Sequence, residues 1–378
     1  HARINDFGII ETPYAKVENG IVTKEITYLN ARDEDLYKIA HAATARDEKG
    51  VITEKRVEAR VKGGRPEIVS PKEVDYIDVA TNQAYSIASS LVPFLNHNEA
   101  NRALMASNMQ KQAVPCVRPE APYVATGVEE YAARDSGRLV YAREAGMVKF
   151  ADARKIVVKN SKGKDDTYNL INFSRTNGFT VFHQRPVVSV GDSVKRGDLL
   201  ADTSTSVGGQ LAIGQNLLVA FMSWSGNNFE DAIIISERLV RDNYLSSIHI
   251  EEFAVNVRDT KLGPEVTTND IPNVGETKLK NLDEEGVVRI GSEVEPGDIL
   301  VGKITPKGES QLTPEERLLR SIFGDKARDV KDTSLRMEGG KRGRVIGVKV
   351  FSREKGDQLE SGIIKKMYIE IAQLRNVN

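Results

Sequence analysis

Two adjacent carboxylates, Glu230 and Asp231, stand between a loop rich in glycine and asparagine and the apolar run 232–235. Carboxylate oxygens suit a hard cation such as Mg²⁺, which keeps several waters and takes further oxygens from phosphate groups. Neighbouring side chains on a regular strand point to opposite faces, so the pair serves one site only if the chain bends there. Residues 226–228, Gly-Asn-Asn, favour such a bend. A solvated turn beside a buried strand is the alternative interpretation.

A helix is predicted over residues 100–112, because good helix formers fill this stretch between Pro93 and Pro115. Asn96 or Asn98 is the expected N-terminal cap. The apolar residues of the helix follow no single stripe, which predicts that it packs on several sides.

The same helix contains cations and amides, and no acidic residue occurs from position 100 to 119. Arg102 and Lys111 are cationic, while Asn108 and Gln112 are four residues apart and are expected on one face. Arginine binds phosphate oxygens in a fork, and amides donate to phosphate and sugar oxygens. This face therefore suits a nucleotide or a nucleic-acid backbone, and a polar face in contact with water is the alternative.

A second short helix, 314–323, is predicted from its ends. Thr313 and Glu316 form a capping box, and Pro314 and Gly324 suit the first helical position and the C-terminal cap. One face of this helix is apolar and consists of Leu318, Leu319, Ile322 and Phe323. A helix this short is unstable in isolation, so the face either packs on its own domain or docks onto a partner protein.

The composition excludes several classes of protein. With 53 Lys+Arg and 54 Asp+Glu among 378 residues the net charge is -1, which excludes a histone-like binder but permits local basic patches such as the turn 339–344. A single cysteine, Cys116, allows neither an internal disulfide nor a zinc ribbon. No apolar run approaches the ~18 residues that span a bilayer, and no signal peptide is recognisable. We therefore expect a cytoplasmic protein, or a piece of one, with two or three domains.

An internal repeat, G-x-x-V-x-x-G-D-[LI]-L, occurs at residues 191–200 and 291–300. The pattern predicts a turn, one inward valine, a second glycine turn and a buried strand. Such units recur in barrel-sandwich folds, including lipoyl and biotinyl carriers. A carrier needs a modifiable lysine at the preceding hairpin tip, and residues 183–190 contain none, which disfavours a prosthetic-group carrier.

Short strand-like runs dominate the rest of the chain. Asn19-Gly20 separates two alternating runs in the first 75 residues and predicts a hairpin. The apolar runs 217–222 and 232–235 have the length of buried strands. The predicted fold class is α+β, β-rich and multidomain, with barrel-like β modules and a few packed helices.

Several motifs together resemble one family. They are FGIIETPY at 7–14, NRALM and NMQKQAVP within 101–115, NFED at 228–231, RDTKLGPE at 258–265, and a long run within 298–335. The chain resembles the β subunit of bacterial DNA-directed RNA polymerase over nearly its whole length and in the family's order.

The resemblance implies roles for the candidate residues. Glu230 and Asp231 match the family's acidic pair near the second, nucleotide-borne Mg²⁺, and Arg102 matches the arginine that approaches the incoming triphosphate. The residues implied to line the RNA 3′ end and the RNA–DNA hybrid are Asn108, Lys111 and Gln112. The family usually has arginine in place of Lys111, so a bidentate contact is lost there. Mg²⁺ is held mainly by the partner β′ subunit and by the NTP.

From about residue 251 onward the resemblance implies the flap, a protruding domain that walls the RNA exit channel. Its tip helix, 314–323, is the family's docking site for sigma factor and elongation factors, in agreement with the apolar face described above. The implied partners are the β′ subunit, the α dimer, these factors, template DNA, the RNA transcript and NTPs, without a membrane. The implied location is the cytoplasm, in association with the nucleoid.

The implied domains are a β-rich external domain at 1–75, part of the hybrid-binding core at 76–125, a second β-rich external domain at 126–213, an active-centre strand and helix at 214–250, and the flap at 251–378. The sequence lacks the family's downstream segment with the catalytic lysines, and the three-aspartate loop belongs to β′. We therefore expect the chain to be inactive alone. A docking scaffold without a catalytic role is the competing hypothesis.

Overall fold

The computed structural model describes residues 2–307 and 330–377. The chain forms two compact units. The first consists of His1–Ala113 and Pro122–Ser136, and the second of Val114–Ala121 and Gly137–Asn378. In the described ranges no helix has both the length and the apolar character needed to cross a bilayer.

The first unit is built on one seven-stranded sheet. Its strands are β1 (Arg3–Ile4), β2 (Ile10–Glu18), β3 (Ile21–Asn30), β4 (Ile39–Ala40), β5 (Val57–Val61), β6 (Arg65–Val69) and β7 (Tyr76–Asp78). The strand order is β1-β2-β7-β4-β5-β6, and β3 pairs with β2. Only the β4–β7 pair is parallel within this sheet as described. Since β7 pairs with β2 and β4, the sheet extends just past the predicted domain end at residue 75.

The predicted hairpin at Asn19-Gly20 is confirmed. The two residues connect β2 to β3 with φ values of 52° and 81°, the left-handed conformation that a two-residue hairpin turn requires. One buried cluster of this unit contains only small or β-branched residues: Ala15, Val17, Ala40, Ile52, Val57, Ala59, Val69, Val74 and Ile77. A second buried cluster consists of Tyr14, Leu29 and Ile39.

Four short helices complete the first unit: α1 (Ala31–Glu34), α2 (Ile87–Ser90), α3 (Ala100–Gln110) and α4 (Val128–Asp135). The predicted helix is α3, and it packs against α2. Of its 11 residues only Ser107 is buried. The prediction that this helix packs on several sides is therefore wrong, because most of its apolar side chains are exposed.

The second unit begins with short strands. They are β8 (Val140–Tyr141), β9 (Gly146–Ala151), β10 (Lys155–Asn160), β11 (Asp165–Asn169), β12 (Ser174–Arg175), β13 (Val181–Phe182), β14 (Gln184–Pro186), β15 (Ser193–Val194), β16 (Leu199–Thr203), β17 (Ser206–Val207) and β18 (Gln210–Leu211). The sheets β11-β10-β9-β15 and β14-β16-β8 are open. Both contribute to one core that includes Val148, Ile156 and Leu200.

The remainder of the second unit contains the longest strands. Its elements are α5 (Glu237–Arg241), β19 (Ser247–Thr260), β20 (Gly263–Pro264), β21 (Val266–Thr267), α6 (Glu276–Leu279), β22 (Glu293–Val294), β23 (Ile299–Val301), β24 (Lys303–Pro306), β25 (Val330–Asp332), β26 (Leu335–Arg336), β27 (Gly343–Ser352) and β28 (Ile363–Arg375). The main sheet has the order β20-β19-β28-β27-β22. Alternate residues of β28, such as Met367, Ile369 and Ile371, are buried in the largest core cluster. The α+β, β-rich class is confirmed.

The two copies of the repeat adopt the predicted conformation. Each begins at a glycine turn, continues through a two-residue strand (β15 or β22), turns again and enters a buried strand (β16 or β23). The inward valines, Val194 and Val294, are 5% and 1% exposed, and Leu200 and Leu300 are both 0% exposed. The repeat is therefore a structural unit of two separate cores.

The strands predicted at 217–222 and 232–235 are not present. The chain from residue 212 to 236 contains no strand or helix, and from residue 217 onward nearly all of it is exposed. Apolar composition predicted burial there, but within the described residues no strand pairs with this segment. Leu218, Phe221 and Ile233 are 105%, 98% and 85% exposed.

Candidate active site

The acidic pair follows a tight loop that the side chain of Asn228 closes. Asn228 Oδ1 accepts the backbone N–H of Trp224 at 3.0 Å, and Nδ2 donates to the carbonyl oxygen of Met222 at 2.7 Å. Ser225 and Gly226, which lie between Trp224 and Asn228, have φ values of 49° and 76°, and the chain reverses its direction at these two residues. Asparagine and glycine are the residues that such local turns select.

Glu230 itself has a strained backbone, with φ at 58°. A non-glycine residue in this region costs on the order of 1 kcal/mol, and such residues concentrate at functional sites. Residues 230 and 231 form a turn, and both side chains are exposed. The predicted bend at the junction is confirmed. Because residues 230 and 231 form a turn, their side chains need not point to opposite faces, as they would on a regular strand.

The pair fits an Mg²⁺ ion that arrives with a nucleotide. Two carboxylates are the usual protein contribution to such an ion, whose remaining ligands are waters and phosphate oxygens. Throughout the described ranges no group of three or more His, Cys, Asp or Glu side chains is arranged to hold a metal. Glu230 and Asp231 alone do not complete a metal site within these residues, and their indirect role at a metal stays a prediction.

Helix α3 places the cationic candidates. Its N-terminal cap is Glu99, whose carboxylate accepts the N–H of Arg102 at 3.0 Å. Backbone N–H groups of Asn101 and Arg102 lower the pKa of Glu99 and keep it ionised at the positive end of the helix. The predicted caps, Asn96 and Asn98, are wrong, since the helix starts after Glu99 and the carboxylate reaches its free N–H groups.

The polar candidates on α3 and just after it are exposed, with Arg102 on the first turn and Asn108 on the last. The guanidinium of Arg102 lies 3.9 Å from Met105 Sδ, and Lys111 Nζ donates to Asn108 Oδ1 at 3.5 Å. Asn108 belongs to the helix, whereas Gln112 follows the helix end at Gln110. The prediction that Asn108 and Gln112 share a helical face is therefore wrong, because the helix is two residues shorter than the pattern indicated.

The candidates fall into separate units. Arg102, Asn108, Lys111 and Gln112 belong to the first unit, and Glu230 and Asp231 belong to the second. The four apolar candidates of the predicted tip helix, Leu318, Leu319, Ile322 and Phe323, lie outside the described residues, and so does the helix 314–323.

The basic turn 339–344 is largely neutralised by the second unit itself. Lys341 Nζ lies 2.7 Å from Glu251 and 2.8 Å from Glu338, and Arg344 pairs with Glu293. The ammonium of Lys341 also lies 5.5 Å from the ring centre of Phe253. Arg342 is exposed. These contacts favour a structural role for Lys341.

Comparison with known proteins identifies the family. The description "RNA polymerase Rpb2, domain 6" matches residues 141–378, which include the acidic pair. The chain belongs to the RNA polymerase β subunit family. A second description, "RNA polymerase beta subunit external 1 domain", matches residues 14–80, which contain most of the seven-stranded sheet.

Two curated relatives agree with this assignment. The chain is 53% identical over 377 residues to "DNA-directed RNA polymerase subunit beta" of Corynebacterium jeikeium (strain K411), and 52% identical over 377 residues to the subunit of the same name from Corynebacterium urealyticum (strain ATCC 43042 / DSM 7109). In both cases all of this chain is covered, but it spans only 32% of the relative's length.

Proposed function

We propose that this chain is a central part of the β subunit of a DNA-directed RNA polymerase, a nucleotidyltransferase that needs partner subunits. The observation that supports this most strongly is 53% identity over 377 residues to a protein of that name, with the acidic pair inside the matched family region. The exposed apolar segment 217–235 also favours a part of something larger, because contiguous exposed apolar surface of this kind is typical of an interface.

In this proposal Glu230 and Asp231 act on the Mg²⁺ that accompanies the incoming NTP. Bound Mg²⁺ neutralises charge on the phosphates during phosphoryl transfer. The two carboxylates orient the hydrated ion through its oxygen ligands, and Arg102 contacts phosphate oxygens. Strain at Glu230 is consistent with a side chain held where a ligand needs it.

Asn108, Lys111 and Gln112 contact the RNA 3′ end and the RNA–DNA hybrid. Their side chains are exposed and carry donors that suit phosphate and ribose oxygens. Lys111 acts there as a point charge, because an ammonium lacks the fork of a guanidinium.

Residues 251–378 form the flap, which borders the exit path of the RNA. Leu318, Leu319, Ile322 and Phe323 form its docking face for sigma and elongation factors, by their sequence pattern. The further partners are β′ and the α dimer, with β′ and the NTP holding most of the Mg²⁺. The polymerase acts in the cytoplasm, on nucleoid DNA.

The test uses the complete polymerase with Glu230→Gln and Asp231→Asn in its β subunit. We expect the KM for NTP to rise roughly 10- to 100-fold, with a smaller loss at saturating NTP, because a metal-orienting charge is lost. Excess Mg²⁺ should restore part of the rate. Single-nucleotide extension on a preassembled template and RNA primer measures both constants.

Glu237→Gln in α5 is the matched control, since it removes an exposed carboxylate from the same region. It should leave both constants unchanged. If the acidic-pair variants altered only factor binding, the docking-scaffold hypothesis would replace the catalytic one. Template-directed synthesis by the isolated chain would contradict its proposed dependence on partners.

A further inference from the structure

Strand β9 contains a bulge that changes the direction of its side chains. Val148 and Phe150 pair with Val158 and Val157, which are consecutive on β10, so Lys149 is the additional residue. Val148 and Val158 are buried in the core, whereas Val157 faces outward, and Phe150 opposite it shares that face. In a regular strand Phe150 would point inward with Val148. Bulges often re-aim a side chain next to a functional site.

The outer face of the sheet β11-β10-β9-β15 therefore presents apolar side chains. Met147 and Phe150 are 58% and 40% exposed, and Val157 is partly exposed. The solvated face of an antiparallel sheet is normally polar. Adjoining apolar side chains with polar neighbours on such a face are typical of a binding surface.

Three lysines surround these apolar residues. Lys155 and Lys159 are exposed on the outer face of β10, and the ammonium of Lys155 lies 5.2 Å from the ring centre of Phe150. Lys149 pairs at 2.8 Å with Asp165, which lies opposite Lys159 on β11. Three lysines against one carboxylate leave an excess of positive charge on this face, although the whole chain has a net charge of -1. The face is therefore complementary to a polyanion.

Hydroxyl groups lie on the two outer strands of the same face. Thr167 is opposite Val157 on β11, and Ser193 is opposite Met147 on β15. Both residues are exposed. Their hydroxyls can donate to or accept from a ribose 2′-hydroxyl, the group by which proteins distinguish RNA from DNA.

The combination of one aromatic ring, several lysines and hydroxyls favours a single-stranded nucleic acid over other polyanions. Unpaired bases have free faces that stack on an aromatic side chain, while lysines contact the backbone phosphates. In a duplex those base faces are covered by neighbouring bases. A four-stranded sheet with outward aromatic residues is an established type of platform for single-stranded RNA.

We propose that the outer face of the sheet β11-β10-β9-β15 binds single-stranded RNA. Phe150 is the surface on which a base stacks, and Lys155 and Lys159 contact phosphate oxygens. Thr167 and Ser193 form hydrogen bonds with ribose hydroxyls. The acidic pair and helix α3 contribute no residue to this face, so the RNA site is additional to the catalytic role proposed above.

The test uses the complete polymerase, stalled on a preassembled template and RNA primer so that its catalytic channel is already filled. The probe is a fluorescent oligouridylate of about 15 nucleotides, a length suited to one such platform. Phe150→Ala should weaken its binding about 5- to 150-fold, because one stacking surface is lost. Primer extension should stay within about twofold. Unchanged affinity for the probe, or an equal loss of extension, would overturn the proposal.

Phe179→Ala is the matched control. Phe179 is 52% exposed in the same unit, and the guanidinium of Arg175 lies 5.3 Å from its ring centre. It lies in the turn between β12 and β13, outside the proposed face. The control should bind the probe as the unmodified enzyme does. A loss as large as that of Phe150→Ala would reject a site on this particular sheet.

The salt dependence of binding tests the phosphate contacts. Each phosphate contact to a single strand contributes about 0.7 to the slope of log affinity against log salt concentration. Lys155→Met with Lys159→Met should therefore reduce the magnitude of that slope by about 1.4. A slope equal to that of the unmodified polymerase would contradict the assignment of these two lysines to phosphates.

Other probes distinguish RNA from the alternative occupants. Oligouridylate should bind more tightly than oligodeoxyuridylate of the same length, and Thr167→Val should reduce this preference because it removes a hydroxyl. Equal binding of the two by the unmodified enzyme would reject RNA as the ligand. Competition by polyglutamate as strong as that by RNA would identify an acidic protein segment as the occupant and would overturn the proposal.

Photocross-linking locates the bound strand on the polymerase. A probe that contains 4-thiouridine should cross-link to residues 147–159, and Phe150→Ala should remove most of that product. Cross-links found only elsewhere on the enzyme would overturn the proposal. Neither outcome depends on the roles of Glu230 and Asp231, which the NTP titration described above tests separately.

Discussion

The repeat copies at 191–200 and 291–300 and the segment 217–235 all combine apolar residues with a glycine turn. The apolar residues of the repeat are largely buried, whereas those of the segment are largely exposed. Leu200 and Leu300 are 0% exposed, while Leu218 is 105% exposed. In the repeat, each buried strand has an antiparallel partner, as β16 has in β8 and β14. In 217–235 no strand pairing occurs within the described part of the chain.

This difference shows that a run of apolar residues does not by itself predict that these residues are buried. The repeat contains its own turns, which return the chain to strands nearby in sequence. The loop within 217–235 also has local hydrogen bonds that hold its turn, since the Asn228 side chain makes two of them. What it lacks, within the described residues, is a neighbouring surface that covers its apolar side chains.

The largest expected contrast is between two leucines. Leu300→Ala should lower the free energy of unfolding by about 2–5 kcal/mol, because it opens a cavity in the main core. Leu218→Ala should change it by less than about 0.5 kcal/mol. Urea unfolding of this chain, followed by far-ultraviolet circular dichroism, measures both. Equal effects would mean that 217–235 is packed in solution.

A smaller contrast concerns glycine turns. Gly197 and Gly297 have φ values of 89° and 84°, and an added Cβ would meet no atom within 4 Å. Alanine should therefore cost only backbone strain, about 1–2 kcal/mol in each copy. Gly226→Ala, at φ 76° in the exposed loop, should hardly move the unfolding midpoint because that loop opens independently of the core. Unequal costs in the two repeat copies would argue against their equivalence.

The smallest contrast concerns the side chains that close these turns. Asp198 and Asp298 accept backbone N–H groups of Lys195 and Glu295 at 2.8 and 2.9 Å. Replacement of either by alanine should cost about 0.5–1.5 kcal/mol, the usual net value of a hydrogen bond. Asn228→Ala should leave global stability unchanged while increasing hydrogen exchange in its own loop. A global loss from Asn228→Ala would link that loop to the core.

Features that depend on short-range chemistry were predictable. The hairpin turn at Asn19-Gly20 requires only that these two residues adopt the left-handed backbone conformation, and both do so in the structure. Features that depend on distant residues were not. The Lys303–Glu265 pair joins residues 38 positions apart, and no local pattern indicates such a partner.

The sequence by itself determined the family, the β-rich class, the repeat turns and the bend before Glu230, because each is expressed in neighbouring residues or in long motifs. The tertiary structure was needed to show which apolar runs are buried and which distant charges pair, such as Lys303 with Glu265. Those outcomes depend on surfaces that meet through space, and burial is favourable only where a second surface is present to exclude water.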